Sequence, residues 1–230
     1  MKRRMWWGAA ALAMTAMSAA QAQVNDPIEP VNRAIFRFND TLDRAVVRPV
    51  AQAYVNVVPR LVRNGVSNVF GNISDAFSAV NSLLQAKPDK FGNDLSRVLV
   101  NTTFGLGGIF DIASATLEKQ DEDFGQTLGR WGMGPGPYLV LPILGPSTVR
   151  DTAGLIVHSY GDPINQVTPE INRYELIGLR AIDTRAGFLG TEDLLQGAAL
   201  DKYTFIRSAY LQRRRSQVYD GNPPRVKEEE

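Results

Sequence analysis

Apolar side chains recur every three or four residues along most of this chain, and proline and glycine break the runs apart. Val31, Ile35, Phe38, Leu42 and Val46 share one helical face while Arg33, Arg37, Asp40, Asp43 and Arg44 fall elsewhere, which predicts an amphipathic helix stopping before Pro49. A second, short helix carries Val50, Tyr54 and Val57 and ends before Pro59. From Pro59 the pattern lengthens: Val62, Val66, Val69, Ile73, Phe77, Val80 and Leu84 keep the spacing to give a helix of roughly 35 Å. Its other face holds Asn64, Ser67, Asn68, Gly71, Asn72, Ser74, Ser78, Asn81 and Ser82, and Asp75 is the only charge between Asn64 and Ala86. Such a face is either buried among other helices or looks into a wet, uncharged passage. Phe91, Leu95, Val98 and Thr102 mark a further helix after Lys87-Pro88, broken at Gly105-Leu106-Gly107-Gly108.

The periodicity then stops. Residues 109 to 117 are short and apolar, Glu118 to Asp123 read as an acidic, solvated loop, and no charge occurs between Arg130 and Arg150. That charge-free stretch approaches the length of about 20 apolar residues that a membrane-crossing helix needs. It contains Gly132, Gly134, Pro135, Gly136, Pro137, Pro142, Gly145 and Pro146, which forbid a helix, and Tyr138 to Leu141 is its only plausible strand. Irregular apolar backbone survives at membrane depth only when buried in protein or lining a cavity. Beyond it, Ser147 is placed to N-cap a helix through Leu155 and Val157, and Pro169 to start one bearing Ile171, Glu175, Gly178, Leu179 and Ile182. Thr191 is placed to cap a last helix running to about Arg215, with Leu195, Ala198, Phe205, Ile206, Ala209 and Tyr210 as apolar members. The tail from Asn222 to Glu230 has the composition of a disordered segment. The fold class expected is all-α.

Lys2, Arg3 and Arg4, an apolar run from Met5 to Ala20, and Ala20-Gln21-Ala22 read as a secretory signal over residues 1–22. Its removal takes the formal charge from +1 to about −2, with 22 basic against 24 acidic residues left. A bulk nucleic-acid binder would carry an excess of positive charge, so that class is excluded. The remaining 208 residues suffice for one domain. There is no cysteine, hence neither a disulfide framework nor a thiolate metal site.

Catalytic patterns are missing as well. His158 is the only histidine and reads as a satisfied helix residue, and no nucleophile elbow, dinucleotide fingerprint or phosphate-cradling loop is present. Asp121-Glu122-Asp123 lacks the alternating oxygen spacing of a calcium loop and reads as solvated. Arg213-Arg214-Arg215 suits both a helix C-terminus and a contact with anionic headgroups. The stripe of Ile35, Phe36 and Phe38 suits a protein core or a lipid surface.

Several blocks carry a family likeness. Asp26-Pro27-Ile28-Glu29-Pro30-Val31-Asn32-Arg33 with Phe36, Phe38, Asn39 and Asp40, then Asn81 to Gln85, then Asn101 to Asp111, resemble the MlaA (VacJ) proteins of Gram-negative outer membranes. So do Glu122 to Leu128, Gly136 to Pro142, Gly145 to Asp151, and Asp201, Tyr203, Phe205, Arg207 with Ala209 to Arg214. The resemblance implies a helical domain over residues 23–221: a ring of amphipathic helices around a central channel, seated in the inner leaflet of the outer membrane. It implies passage of mislocalised phospholipid to the periplasmic carrier MlaC beside porin trimers, which maintains lipid asymmetry, with no cofactor and no enzymatic step. A non-transporting adaptor bound to porins is the alternative. The pathway residues expected are Asn64, Asn68, Asn72 and Asn81 on the long helix, and Gly134, Pro137, Tyr138, Pro142 and Gly145 in the Gly/Pro segment. Two departures stand out. The family is usually acylated on a cysteine this chain lacks, and Ser67-Asn68-Val69-Phe70-Gly71-Asn72 has the smaller Val69 where a Phe is common.

Overall fold

The computed structural model describes residues 26–190 and 201–224. Helix α1 (Glu29–Leu42) passes through a π-helical turn (Asp43–Val47) directly into α2 (Arg48–Val57), so Pro49 does not end the helix as its sequence suggested. Proline lacks an amide hydrogen and its ring collides with the carbonyl four residues earlier in a regular helix, and the wider π turn just ahead of it removes that conflict. Helix α2 does end at Val57, ahead of Pro59. Helices α3 (Arg60–Leu84) and α4 (Pro88–Thr103) pack along each other across a short turn. A 3-10 turn (Ala113–Ala115) and the short helix α5 (Phe124–Arg130) follow, the latter capped by Asp123, whose carboxylate accepts from the Gln126 amide.

The charge-free segment forms a hairpin. Strand β1 (Tyr138–Leu141) pairs antiparallel with β2 (Gly145–Thr148), Tyr138 opposite Thr148 and Leu141 opposite Gly145. The sequence had marked the first strand alone, because Gly-Pro-Ser-Thr has none of the β-branched alternation of a strand. Thr148, not Ser147, caps α6 (Val149–Gly161), its hydroxyl accepting from the Asp151 amide. A 3-10 turn (Pro163–Gln166) leads to α7 (Glu170–Gly187), with Pro169 just ahead of it. The final helix α8 (Lys202–Val218) starts at Asp201, whose carboxylate accepts from the Tyr203 amide, so no single helix runs from Thr191 to Arg215; Thr191 itself lies outside the described residues.

Packing passes round in a circuit: α1 against β1, α2 against α7, α7 against α3, α3 against α5, α5 against α6, and α6 against β2 back to β1. Helix α8 packs on α5 and β2. The fold is all-α apart from the hairpin. Two asparagines on α1 fix the hairpin to it. Asn32 donates to the Tyr138 carbonyl (3.0 Å) and accepts from the Val140 amide (2.9 Å), and Asn39 does the same for Leu141 (2.9 Å) and Ile143 (2.8 Å). Seven helical residues advance about 10 Å and three strand residues also advance about 10 Å, so side chains two turns apart meet equivalent points of one strand edge. The edge of β1 is thereby covered.

The interior of this molecule is polar. Among the described residues nine hydrophobic side chains are buried against seventeen polar or charged ones, so burial of apolar surface is not what fills the centre. The long helix shows the inversion directly: Asp75, Ser78, Asn81 and Ser82 are buried while Leu61, Val62, Val80 and Leu83 are exposed. A small aromatic core remains at the hairpin, where Tyr138, Val140 and Tyr203 are buried with Ile35, Phe36, Tyr210 and Leu211 around them. Tyr203 meets Phe36 edge-on at 5.6 Å and Tyr138 at 6.2 Å.

Replacing Asn32 by alanine strands a buried carbonyl and a buried amide, and should lower unfolding stability by about 2–5 kcal/mol in urea denaturation. Asn39→Ala, whose amide partner at Ile143 is open to water, should cost less than about 1 kcal/mol. Equal losses would show that the β1 edge does not depend on the buried bridge.

Candidate functional site

Two surfaces of different character face outward. The first is apolar and spread over the whole circuit. Val57 is 79 % exposed and Leu61 73 %, and Phe104 and Leu106 stand out from the loop after α4 at 69 % and 66 %. Leu155, Ile156 and Val157 on α6 and Ile171, Tyr174 and Ile177 on α7 are also exposed. Large apolar surfaces of this kind mark contact with lipid or with another protein. No helix among the described residues is long and apolar enough to cross a membrane.

Behind that surface lie ion-paired networks. Arg97, 1 % exposed, donates to Asp75 (3.0 Å), to Asp111 (3.2 Å) and to the Leu117 carbonyl (2.8 Å), and Lys119 reaches the other oxygen of Asp75. Asp94 beside them accepts from Ser78 and Ser82, and burial pushes its carboxyl above the usual carboxylate range. Lys87 and Lys90 each bridge Glu122 and Asp220. The acidic loop is therefore not solvated throughout: Glu118, Lys119 and Asp121 are exposed, but Glu122 is buried and Asp123 caps α5.

Arg214 on α8 sits at the junction of three elements. It donates to both oxygens of Asp123 (2.6 and 2.9 Å) and to both of Asp151 (3.1 and 2.9 Å). Asp151 also accepts from Arg150 and from the Tyr210 hydroxyl (2.8 Å). Burial acts to raise Asp151, but the Arg214 guanidinium outweighs it and holds the carboxyl at about 2. Burial likewise opposes, and Arg214 overcomes it, at Asp123, which is also held low. The backbone must come close for this contact. A Cβ on Gly125 would meet Asp151 at 2.7 Å and Arg214 at 2.8 Å, and one on Gly154 would meet the Gly125 amide at 2.5 Å.

The residues singled out from the sequence do not converge on one passage. Asn68 donates to the Ile109 carbonyl (2.9 Å) and Asn72 to Thr102 (3.0 Å), and both hold the glycine loop onto α3, where a Cβ on Gly108 would meet Asn72 at 2.9 Å. Asn81 is buried and accepts from the Thr127 hydroxyl (2.8 Å), while Asn64 is exposed nearer the start of α3. Tyr138 is wholly buried in the aromatic core, and Pro137 is exposed beside it. Pro142 and Gly145 shape the hairpin turn. Of the set, Gly134 lines a cavity.

That cavity, about 620 Å³, lies between α8 and the Gly132–Pro135 stretch. Arg150, Arg207, Arg214 and Arg215 reach its wall, together with Met133, Leu211 and Val218. The arginines escaped the sequence reading because they come from two helices far apart in the chain. The two signals are Arg150, which closes the charge-free stretch, and Arg213-Arg214-Arg215, which the sequence suits to a helix end or a contact with anionic headgroups but does not place on a cavity wall. A smaller cavity of about 330 Å³ lies on the other side of Arg214, with Leu144, Leu155 and His158 in its wall. His158 packs on the Phe77 ring at 4.2 Å, and burial lowers its pKa. Among the described residues no group of three or more His, Cys, Asp or Glu is disposed to hold a metal ion. The larger cavity thus places four arginines and several apolar side chains in one wall.

Comparison with known proteins gives these features a family. The model of the MlaA lipoprotein family matches residues 24–217. The chain is 35 % identical over 209 residues to the intermembrane phospholipid transport system lipoprotein MlaA of Haemophilus influenzae, covering 89 % of this chain and 83 % of that one. It is 37 % identical over 196 residues to the protein of the same name in Escherichia coli, covering 82 % and 76 %. A chain solved in work on the structural basis for maintenance of bacterial outer membrane lipid asymmetry superposes with a TM-score of 0.72 at 34 % identity, over 86 % of this chain and all of that one.

The depressed Asp151 pKa fixes the sign of an acid response. The carboxylate is stabilised by folding, so its contribution is complete above the ordinary value of 3.8 and is lost as pH falls through about 2. We expect about 2 kcal/mol of stability to disappear across that window, and Asp151→Asn to remove this part of the pH dependence. Chemical denaturation of the two proteins between pH 5 and 2 measures it, and parallel pH profiles would refute the assignment.

Proposed function

The chain belongs to the MlaA lipoprotein family, and from that premise we propose that it is the outer-membrane component of intermembrane phospholipid transport. In this role it passes mislocalised phospholipid through an amphipathic channel to a periplasmic carrier, MlaC, beside porin trimers, and so maintains lipid asymmetry. The observation that carries the reading is the inverted burial: polar and ion-paired groups inside, large apolar side chains outside on α1, α2, α3, α4, α6 and α7. In water such a surface is a liability. Against acyl chains each buried Leu, Val or Phe contributes roughly 1.5–3 kcal/mol, so a handful of them outweighs the marginal hold of one acyl chain. That supports a seat in the inner leaflet of the outer membrane after residues 1–22 are removed on export, with residues 23–221 forming the lipid-handling domain. The function proposed is non-enzymatic: positioning, not bond breaking, is what the arginine cavity and the apolar surface suit. Asn64, exposed on α3, and Gly134, on the cavity, are the pathway candidates of the original set best placed to meet lipid.

Deletion of the gene should raise surface-exposed phospholipid and sensitivity to detergent with chelator, and the protein extracted in mild detergent should carry phospholipid by mass spectrometry. A lipid-free protein whose loss leaves the surface unchanged supports a porin-bound adaptor instead. Val57→Lys with Leu61→Lys removes two exposed apolar contacts, each worth at least about 1.5 kcal/mol in lipid, and should shift the protein from the membrane to the soluble fraction without lowering its melting temperature.

A further inference from the structure

We propose that the cavity between α8 and the Gly132–Pro135 stretch is a phosphodiester-binding subsite that selects phospholipid headgroups of net negative charge. This rests on the lipid-transport reading and deepens it. Four arginines line the wall, and among the described residues no carboxylate does. The acids that neutralise them stand behind: Asp26 and Glu29 at Arg207, Asp151 at Arg150, and Asp123 with Asp151 at Arg214. In each pair the arginine lines the cavity and the acid does not. Arg215 differs from the other three, because the bond it makes is to the Pro224 carbonyl, which leaves its charge uncompensated by a carboxylate. Ser208 and Gln212 add polar groups to the same wall. Arginine's planar fork matches a phosphate's oxygens, and its hydrogen bonds to an anion are stronger than neutral ones.

The rest of the lining fits the remainder of a lipid. Met133, Pro135, Leu211 and Val218 offer apolar contact to a glycerol backbone and the first methylenes. A volume of about 620 Å³ falls in the range of about 300–1,000 Å³ that holds a small organic ligand. An ammonium headgroup, by contrast, finds no carboxylate among the described residues of the lining. The same four cations that favour the phosphate repel it.

The test is native mass spectrometry of the full chain in neutral detergent, titrated separately with phosphatidylglycerol, phosphatidylcholine and inorganic phosphate. We expect phosphatidylglycerol to bind roughly tenfold more tightly than phosphatidylcholine, the effect of one added charge-assisted contact. Arg215→Gln should abolish that preference, weakening phosphatidylglycerol about tenfold and phosphatidylcholine much less, and should not unfold the protein, because Arg215 can be removed without breaking a buried ion pair. Arg215→Lys should retain most of it, and Arg213→Gln, which pairs with exposed Asp121 outside this cavity, should retain all of it. Equal binding of both lipids by the unaltered protein, or equal loss of both in Arg215→Gln, overturns the subsite and leaves lipid transport standing. Displacement of phosphatidylglycerol by millimolar phosphate also overturns it, since that marks a small-anion site. Capture of neither lipid removes the transport reading as well.

Discussion

Arg214 is the contact on which the arrangement of the other elements depends. Its guanidinium joins the capping carboxylate of α5, the first turn of α6 and its own helix α8, and it reaches the wall of both cavities. A buried ion pair is a weak source of net stability, yet losing one partner leaves the others charged and unpaired, at a cost of about 3–5 kcal/mol. The geometry admits little else. Gly125 and Gly154 bring two helices to within backbone contact, and a single Cβ at either would occupy the space taken by the carboxylate, the guanidinium or the opposing amide. The family block from Glu122 to Leu128 and the block from Gly145 to Asp151 are thus two halves of one joint.

That joint also explains the inversion of burial. In water, apolar side chains drive helices together and polar ones stay outside. In lipid the first drive disappears, because acyl chains are as apolar as leucine, and association depends on close packing of small residues and on interhelical polar contacts. Both are present. Gly125 lies on Gly154, Gly65 lies close to Ile109, and Asp75 with Arg97 and Ser78 with Asp94 tie α3 to α4. The polar face of α3 is accordingly a packing face over its second half, with Asn81 bonded to Thr127 and Ser82 to Asp94.

Much of the helical framework was legible in the sequence, and the reasons for the misses are specific. The apolar stripes located α2, α3 and α4 because 3.6-residue periodicity survives whichever side faces inward. The same stripes could not say which side that was: Val62 and Val80 keep perfect phase and still point outward. Pro49 misled because proline is a breaker only of a regular α-helix, and a π turn five residues long absorbs it. Strand β2 was hidden because it is held by Asn32 and Asn39 acting on its partner strand, a tertiary bracket with no local propensity behind it. The arginine wall was unreadable for the same reason. Arg150 and Arg207 are far apart in sequence and meet only through the hairpin and α8.

A polar interior in an apolar coat places a definite demand on whatever passes through the protein. A phospholipid leaving a bilayer has to keep its chains out of water while its headgroup crosses a region that chains alone would never solvate. A coat of exposed Val, Leu and Ile offers the chains a continuous alternative to their neighbours in the leaflet, at little change in free energy, because one apolar contact replaces another. The headgroup is the costly part, since an unpaired charge in a low-dielectric setting is strongly disfavoured. Arginines whose own charges are already balanced from behind meet that cost without themselves becoming stranded when the site is empty. Strong binding would trap the lipid, whereas an arginine shared between Asp151 and a passing phosphate holds it only weakly. In the subsite proposed, the carboxylates paired with Arg150, Arg207 and Arg214 would keep the site both stable when empty and permissive when full.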